Sequence, residues 1–554
     1  MMKGNQGTRG WFYIHPFLWA AQPIFFLYTR AIHEIRLIEV LVPLGVTLIG
    51  AVVFWALAYL ALRRDLLKSA CVTSLFVILF FSFGRVVNLA DRFFGDTGLW
   101  RNLSRMQLPT RTASLQAAVL AVFGILLLAA LVRLFLKKAL SPWVTPLLAR
   151  AAAVLLLLSM GQIAAALISA PRRAAPPQTA ASDASLPPGN SPDVYIVAVD
   201  GYARDDVLRE FYGFDNAPFL GALKELGFSI ASKSSANYAW TFLSLASALN
   251  MTHLMDLAEK AGPRSRDQKR AQEMVRDNAV LAFMKSWGYR TVHLASAWAG
   301  TRSNPNADET VGGRRHIMDD DFTRTLADSS LLTLFNSRLV KDMAQFYLEQ
   351  FKNLESMSAK PGPKMVFAHF LLPHPPYLFD RNGRILLDGS FIDYLLFRKA
   401  QWYKTDAYAE QVAFLNDRLL SVFRSIIRSS RVPPVIILIS DHGPLVAHRD
   451  TEAGKRARLA NLTAAYLPGA PAGILPEDVR LVNVFPIILN HYFGAGLELQ
   501  AATRFFSSYS RPFSLESVGP DADFVGSGTS ENGAGRTRPP SLEQPGLEPR
   551  RKRR

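Results

Sequence analysis

A chain of 554 residues, 49% of them hydrophobic and with a mean hydropathy of +0.12, is long enough for several domains and too apolar to be wholly water-soluble. Its single cysteine, Cys71, excludes a disulfide framework. A net charge of +17 invites a polyanion, but the excess partly reflects the basic run at 550–554, and anionic lipid headgroups suit a membrane protein better than nucleic acid.

The apolar excess is concentrated before residue 172. Five uncharged stretches lie at residues 10–29, 40–62, 69–84, 112–132 and 151–171. A bilayer-spanning helix needs roughly 20 apolar residues, so these predict about five transmembrane helices. The third is extended by Val86–Ala90 past Arg85, and the first contains His15, Pro16 and Pro23, which read as a kinked or interfacial helix. Lys3 and Arg9, then Arg63, Arg64 and Lys68, then Arg133, Lys137 and Lys138 fall on one side of alternating spans. Positive charge marks the cytoplasmic side. The expectation is a multi-pass protein of the cell (inner) membrane whose later residues are extracytoplasmic.

Residues 172–192, rich in Ala, Pro and Ser, read as a linker. From Asp193 short β-branched runs alternate with helical stretches. Strands are predicted at 194–199, 291–295, 365–370 and 435–439, and helices at 204–227, 279–287 and 408–427. That alternation predicts a doubly wound, mostly parallel α/β domain over 193–510. Residues 511–554, rich in Gly, Pro, Ser and Arg, read as a disordered basic tail. The expected layout is thus an N-terminal five-helix membrane domain (1–171), a linker and one α/β domain.

Two strand ends carry ligand-type residues. Val-Ala-Val-Asp-Gly-Tyr-Ala-Arg (197–204) ends on Asp200, and Ile-Leu-Ile-Ser-Asp-His-Gly-Pro (437–444) ends on Asp441 and His442. Carboxyl ends of parallel strands gather ligands at one sheet edge. Two carboxylates and an imidazole suit a divalent metal; the lesser alternative, Asp200 capping the next helix, loses weight because the Asp-His pair occurs with it. Between them, Thr241, Ser244 and Ser247 share one helix face and offer three candidate nucleophiles. The segment 367–377 adds His369, within a strand, and His374, in a proline-rich loop that could reach a phosphate or a leaving group.

This set resembles the alkaline-phosphatase superfamily in its sulfatase-like branch, which includes lipoteichoic acid synthases and phosphoethanolamine transferases. The resemblance covers the membrane region to about residue 500. It implies one divalent metal (Mn, Mg, Zn or Ca), with a second left open, held by Asp200, Thr241, Asp441 and His442. It implies Thr241 as nucleophile, with His374, His369 and Arg204 near the substrate. No Cys-x-Pro-Ser-Arg segment is present, which argues against sulfate hydrolysis through formylglycine. Lipoteichoic acid synthases usually carry Glu where this chain has Asp200. The implied activity is transfer of a phospho-headgroup from a lipid donor to a glycan or lipid acceptor. The competing readings are a sulfatase-like hydrolase or phosphodiesterase that uses water, and a non-catalytic membrane scaffold.

Overall fold

A computed structural model describes residues 13–94, 111–136, 143–168, 191–313, 321–386, 402, 405–446 and 451–519. The linker over 172–190, the charges at Lys3, Arg9, Lys137 and Lys138, and residues 520–554 lie outside the described residues.

Among the described residues five α-helices come first: α1 (His15–Ala31), α2 (Leu41–Ala61), α3 (Leu66–Phe94), α4 (Arg111–Leu136) and α5 (Val144–Ile168). Four segments that coincide with the last four, Leu37–Ala61, Leu66–Ala90, Leu115–Leu136 and Val144–Ile168, are long and apolar enough to cross a membrane, against the five expected. The first spans 17 residues and holds Pro23 inside it. Its predicted kinked or interfacial character rests on the same prolines. Exposed leucines and valines such as Val53, Leu57, Leu126, Leu157 and Leu158 cover the outer faces of these helices. That is the pattern expected where lipid replaces water as solvent.

The turn between α2 and α3 carries Arg63 and Arg64, and Arg63 lies over the ring of Phe135 near the end of α4. The opposite ends of the helices meet the α/β domain. Phe83 and Val87 of α3 and Leu115 of α4 pack with Leu331 and Leu334, while α1 packs on Phe322 and Leu326. Glu39 pairs with Arg302, and Arg36 with Glu273 at 3.6 Å. The basic turn and the α/β domain therefore sit at opposite ends of the helix bundle.

Gly84 sets how closely α3 approaches. A Cβ there would fall 2.0 Å from the backbone oxygen of Asp328. Backbone cannot swing aside as a side chain can, so Gly84→Ala should cost about 1–3 kcal/mol through overpacking. Gly124 in α4 has nothing within 4 Å of its own Cβ position. Gly124→Ala should therefore be neutral or slightly stabilising. Thermal unfolding of the full-length variants checks the contrast: a drop of a few degrees for the first and none for the second.

The α/β domain is built on a seven-stranded sheet. Its strands are β1 (Val194–Asp200), β2 (Phe228–Ile230), β3 (Arg290–Leu294), β4 (Glu309–Val311), β5 (Lys364–Pro373), β6 (Val435–Ser440) and β7 (Thr463–Tyr466), in the order β2-β7-β6-β1-β5-β3-β4. Strands β6, β1, β5, β3 and β4 run parallel, and β7 is antiparallel to both β6 and β2. Every residue of β1 and β6 is buried, as expected of central parallel strands covered on both faces.

Helices α6 (Asp205–Tyr212), α7 (Ala217–Glu225), α8 (Thr241–Asn250), α9 (Met255–Ala261), α10 (Lys269–Arg276), α11 (Ala279–Ser286), α12 (Asp321–Asp328), α13 (Asn336–Ser356), α14 (Thr405–Ser429), α15 (Glu452–Leu459) and α16 (Leu481–Phe493) complete the domain. The predicted helix over 204–227 is two helices, because Gly213 takes φ +59° after Tyr212 and ends the first. A hairpin of β8 (Arg504–Ser508) and β9 (Arg511–Val518) packs against the segment leading into α8, where Phe505 stacks on Tyr238. Strand β9 corrects the reading of a tail beginning at 511, since Phe513 and Val518 are core residues.

Candidate active site

Strand β1 lies between β5 and β6, so its carboxyl end shares an edge with theirs. The β1–β5 register shifts between Val199 and Asp200, whose partner is Pro373. Such an irregularity re-aims the last side chain of a strand. Gly201 then turns the chain at φ +72°, and a Cβ there would lie 2.6 Å from the Trp402 ring. On the neighbouring strand, Gly443 follows Asp441 and His442. A Cβ on Gly443 would meet the carbonyl oxygens of Ala457 and Ala460 at 2.1 and 2.6 Å.

Three sequence-predicted ligands converge here. Nε2 of His442 lies 3.9 Å from Oδ1 of Asp200 and 3.2 Å from Oδ2 of Asp441. Thr241 joins them, its Oγ1 3.1 Å from the same Nε2. All three ligand residues are buried. Oδ1 of Asp441 accepts the amides of Gly201 and His442, both at 2.9 Å, which fixes the carboxylate and leaves Oδ2 facing inward. Among the described residues no donor satisfies Oδ2 in hydrogen-bonding geometry. A buried carboxylate oxygen left in that state is costly without a cation.

Electrostatics favour the neutral imidazoles a metal requires. Burial, then the charge of Arg458, holds His442 well below its ordinary pKa. Its Nδ1 donates to the Gly443 carbonyl at 3.0 Å, so Nε2 carries the lone pair. Burial raises Asp441 to about 6, against the Thr241 hydroxyl, the Gly201 amide and Arg458, which lower it.

His369 also enters this group. Asp200, His369 and Asp441 place one ligand atom each within 4.8 Å of one another, a group able to hold a metal ion. Burial lowers His369 to about 3. Its Nδ1 lies 2.8 Å from Thr301 Oγ1, and its Nε2 has no hydrogen-bond partner. The tautomer that donates Nδ1–H to Thr301 leaves Nε2 a ligand, oriented as outer-shell hydrogen bonds orient metal-binding histidines. The resemblance had put His369 near the substrate; the geometry puts it beside the carboxylates.

The three candidate hydroxyls separate by their partners. Ser244 donates to the Asp441 carbonyl at 2.5 Å and Ser247 to the Thr252 carbonyl at 2.7 Å. Thr241, the first residue of α8, is the one that faces the cavity. Helix N-terminal amides favour negative charge at that position.

A cavity of about 240 Å³ opens on the site, lined by Asp200, Thr241, His374, His442, Arg324 and Arg458 among others. His374 donates Nδ1–H to the Pro375 carbonyl at 2.7 Å, and its ring stands edge-on to Trp402. The ring lines the cavity. Arg204 is elsewhere: its guanidinium grips Asp206 at 2.7 and 2.8 Å and the Ser234 carbonyl, and it does not line the cavity.

Two arginines that the sequence reading did not single out do line it. Arg458 is tied to the Ala239 and Gly443 carbonyls at 2.8 and 2.7 Å, places Nη2 3.0 Å from His442 Nε2 and lies over the Trp240 ring. Arg324 is 4% exposed and makes no hydrogen bond or ion pair among the described residues. A buried guanidinium with no anion is as costly as a buried carboxylate with no cation. The sequence signal for both was weak, because each arginine sits in a polar helical run that reads as a solvated face.

The donor set fits a divalent metal ion. Three oxygen donors (Asp200, Asp441, Thr241) and imidazole nitrogens (His442, His369) suit Zn²⁺, Mn²⁺ or a similar divalent ion.

No family model matches the chain, and no curated protein matches it. Among solved structures it is similar to the C-terminal periplasmic domain of EcEptC from Escherichia coli, with 14% identity, 60% of this chain and 96% of that chain covered, and a TM-score of 0.38. It is similar to the soluble domain of lipooligosaccharide phosphoethanolamine transferase A from Neisseria meningitidis, with 14% identity, 56% and 90% coverage and a TM-score of 0.36. It is also similar to the phosphonate monoester hydrolase of Agrobacterium radiobacter, with 12% identity, 57% and 80% coverage and a TM-score of 0.35.

Proposed function

We propose that this protein is a metal-dependent phosphotransferase of the cell (inner) membrane, with its α/β domain extracytoplasmic. It would move a phospho-headgroup from a lipid donor to a glycan or lipid acceptor through Thr241. One observation carries the reading: a cavity-facing hydroxyl at a helix N-terminus lies 3.1 Å from an imidazole that itself adjoins two buried carboxylates. The placement of Arg63 and Arg64 at the end of the bundle away from the α/β domain supports the orientation.

Asp200, Asp441, His442 and Thr241 would hold the metal, with His369 available beside them. A divalent ion there supplies positive charge that lowers the Thr241 pKa and offsets charge on phosphoryl oxygens. Thr241 Oγ1 attacks phosphorus as its proton leaves to solvent. The P–O bond to the lipid breaks, and the lipid oxygen takes a proton from the imidazolium form of His374, which is left neutral. The acceptor hydroxyl gives its proton to His374 as its oxygen attacks phosphorus, the P–O bond to Thr241 breaks, and the Thr241 oxygen regains a proton from solvent. Arg324 and Arg458 hold the anionic oxygens in place throughout.

Arg324 is the residue best suited to ground-state phosphate binding, since it is buried at the cavity and no anion pairs with it among the described residues. Arg324→Ala should raise KM for an anionic diester by roughly tenfold or more while kcat changes less. Arg324→Lys should recover part of the loss. Steady-state kinetics at several substrate concentrations separates the two parameters.

The reading is tested by removing metal. Chelation should abolish cleavage of bis(p-nitrophenyl) phosphate by the purified protein, and one of Mn²⁺, Mg²⁺, Zn²⁺ or Ca²⁺ should restore it. Full activity after exhaustive chelation would contradict it. A labelled phospholipid supplied with a glycan acceptor separates transfer, which labels the glycan, from hydrolysis, which frees the headgroup. A non-catalytic scaffold is disfavoured by the retention of every proposed ligand and of the nucleophile.

A further inference from the structure

A second cavity, of about 660 Å³, lies where the membrane helices meet the α/β domain. Its volume is within the range of small-molecule sites. It shares Glu34, Gln268 and Tyr509 with the reaction cavity, so the two adjoin through those residues.

Its walls differ in character. One wall is α5, where Leu155 and Leu158 are exposed and apolar, with Gln162 toward the helix end. The other is the last turn of α1, with Phe26, Thr29 and Arg30. Arg266 of the α/β domain closes the polar end. Among the described residues neither Arg30 nor Arg266 has a carboxylate partner; Arg266 Nε donates to the Ser510 carbonyl at 3.2 Å. Arg85 of α3 lies over the same Phe26 ring as Arg30, at 5.0 and 5.5 Å, and adds a third positive charge nearby. The one carboxylate in the lining, Glu34, accepts the Tyr509 hydroxyl at 2.6 Å.

We propose that this cavity is the docking site of a bilayer phospholipid. The lipid phosphate sits at Arg30 and Arg266, and its acyl chain lies along Leu155 and Leu158 of α5. The position of the pocket selects this occupant. An apolar wall on a membrane-length helix ends at guanidinium groups, which is the order of parts in a phospholipid seen from tail to headgroup. A soluble phosphate ester would match the arginines and leave the α5 wall unused. The inference rests on the lipid-donor reading above and adds where the donor waits: one cavity away from Thr241, across the neck of Glu34, Gln268 and Tyr509. Neither Arg30 nor Arg266 acts on the reacting atoms, so both are positioning residues.

The experiment uses full-length protein in nanodiscs doped with a phosphatidylglycerol carrying a diazirine near the end of one acyl chain. Photolysis followed by peptide mass spectrometry should place cross-links in the stretches 22–33 and 151–163. Arg30→Ala combined with Arg266→Ala should lower their yield roughly tenfold or more. Gln162→Trp, a change at an exposed position that fills the cavity, should lower it without touching either arginine. Millimolar glycerol phosphate should not compete. Cross-links spread evenly over all lipid-facing helices, yields unchanged in both variants, or full competition by glycerol phosphate would each overturn the proposal. Cross-links confined to the cavity in a protein that never cleaves the lipid would support the docking site and remove the donor reading instead.

Discussion

Thr241→Ala is expected to lower the turnover of a phosphodiester by roughly a thousandfold or more, because it deletes the atom that attacks. The substitution removes a hydroxyl and a methyl group from a partly buried helix start and leaves the adjoining serines engaged with backbone carbonyls. The fold should therefore persist, and the melting temperature should stay within a few degrees of the parent. Thr241→Ser keeps the hydroxyl and should retain activity within about tenfold. Cleavage of a chromogenic diester by the three proteins at equal metal loading checks the ordering. Undiminished metal-dependent activity in Thr241→Ala would remove Thr241 from the reaction.

The second large effect falls on the metal. Asp441 is fully buried, and Oδ1 is spent on two backbone amides, so Oδ2 is the oxygen free to ligate. Asp441→Asn keeps the shape and removes the charge. Loss of outer-shell partners alone weakens metal binding by about 10–100-fold, and loss of a direct anionic ligand should exceed that. Bound metal measured after desalting should fall from near stoichiometric to a small fraction, with activity falling in parallel. Unchanged stoichiometry would exclude Asp441 from the site. His369→Ala serves as a graded companion: a partial loss of metal would place its Nε2 in the ligand set, and no loss would leave it as a buried neighbour.

Much of the framework was legible before any coordinates. The strands at 194–200 and 435–440 read as continuous apolar runs because both faces of a central parallel strand are covered. Their terminal Asp200, Asp441 and His442 meet because parallel neighbours end on one edge. The long apolar helices were equally plain, since lipid leaves no alternating polar face to blur the signal. The short antiparallel β7 and the three-residue β2 and β4 were missed, because a few residues establish no period. Strand β9 was missed because its Arg, Pro and Ser resemble the composition of the Gly-, Pro-, Ser- and Arg-rich sequence that follows it.

The errors inside the site share one cause. Arg204, beside a strand-end aspartate in sequence, looked available for a substrate, yet Asp206 two residues on captures it. Arg324 and Arg458 were not singled out, yet both are buried against the cavity. Whether a guanidinium is already paired depends on residues distant in sequence, as when Arg458 meets the carbonyl of Ala239. The same holds for the hydroxyls: spacing put Thr241, Ser244 and Ser247 on one face, and only the carbonyls of Asp441 and Thr252 tell them apart. His369 read as part of a strand interior, which it is, but the strand delivers its Nε2 to the two carboxylates.

The most direct test of the account is to trap the covalent intermediate. Metal-loaded protein mixed with a phosphodiester donor and quenched in acid within one turnover should carry a phosphoryl-linked adduct on the peptide containing Thr241. Fragmentation should place the added mass on that residue. An adduct on a different side chain, or none at all while donor is consumed in the same samples, would contradict it.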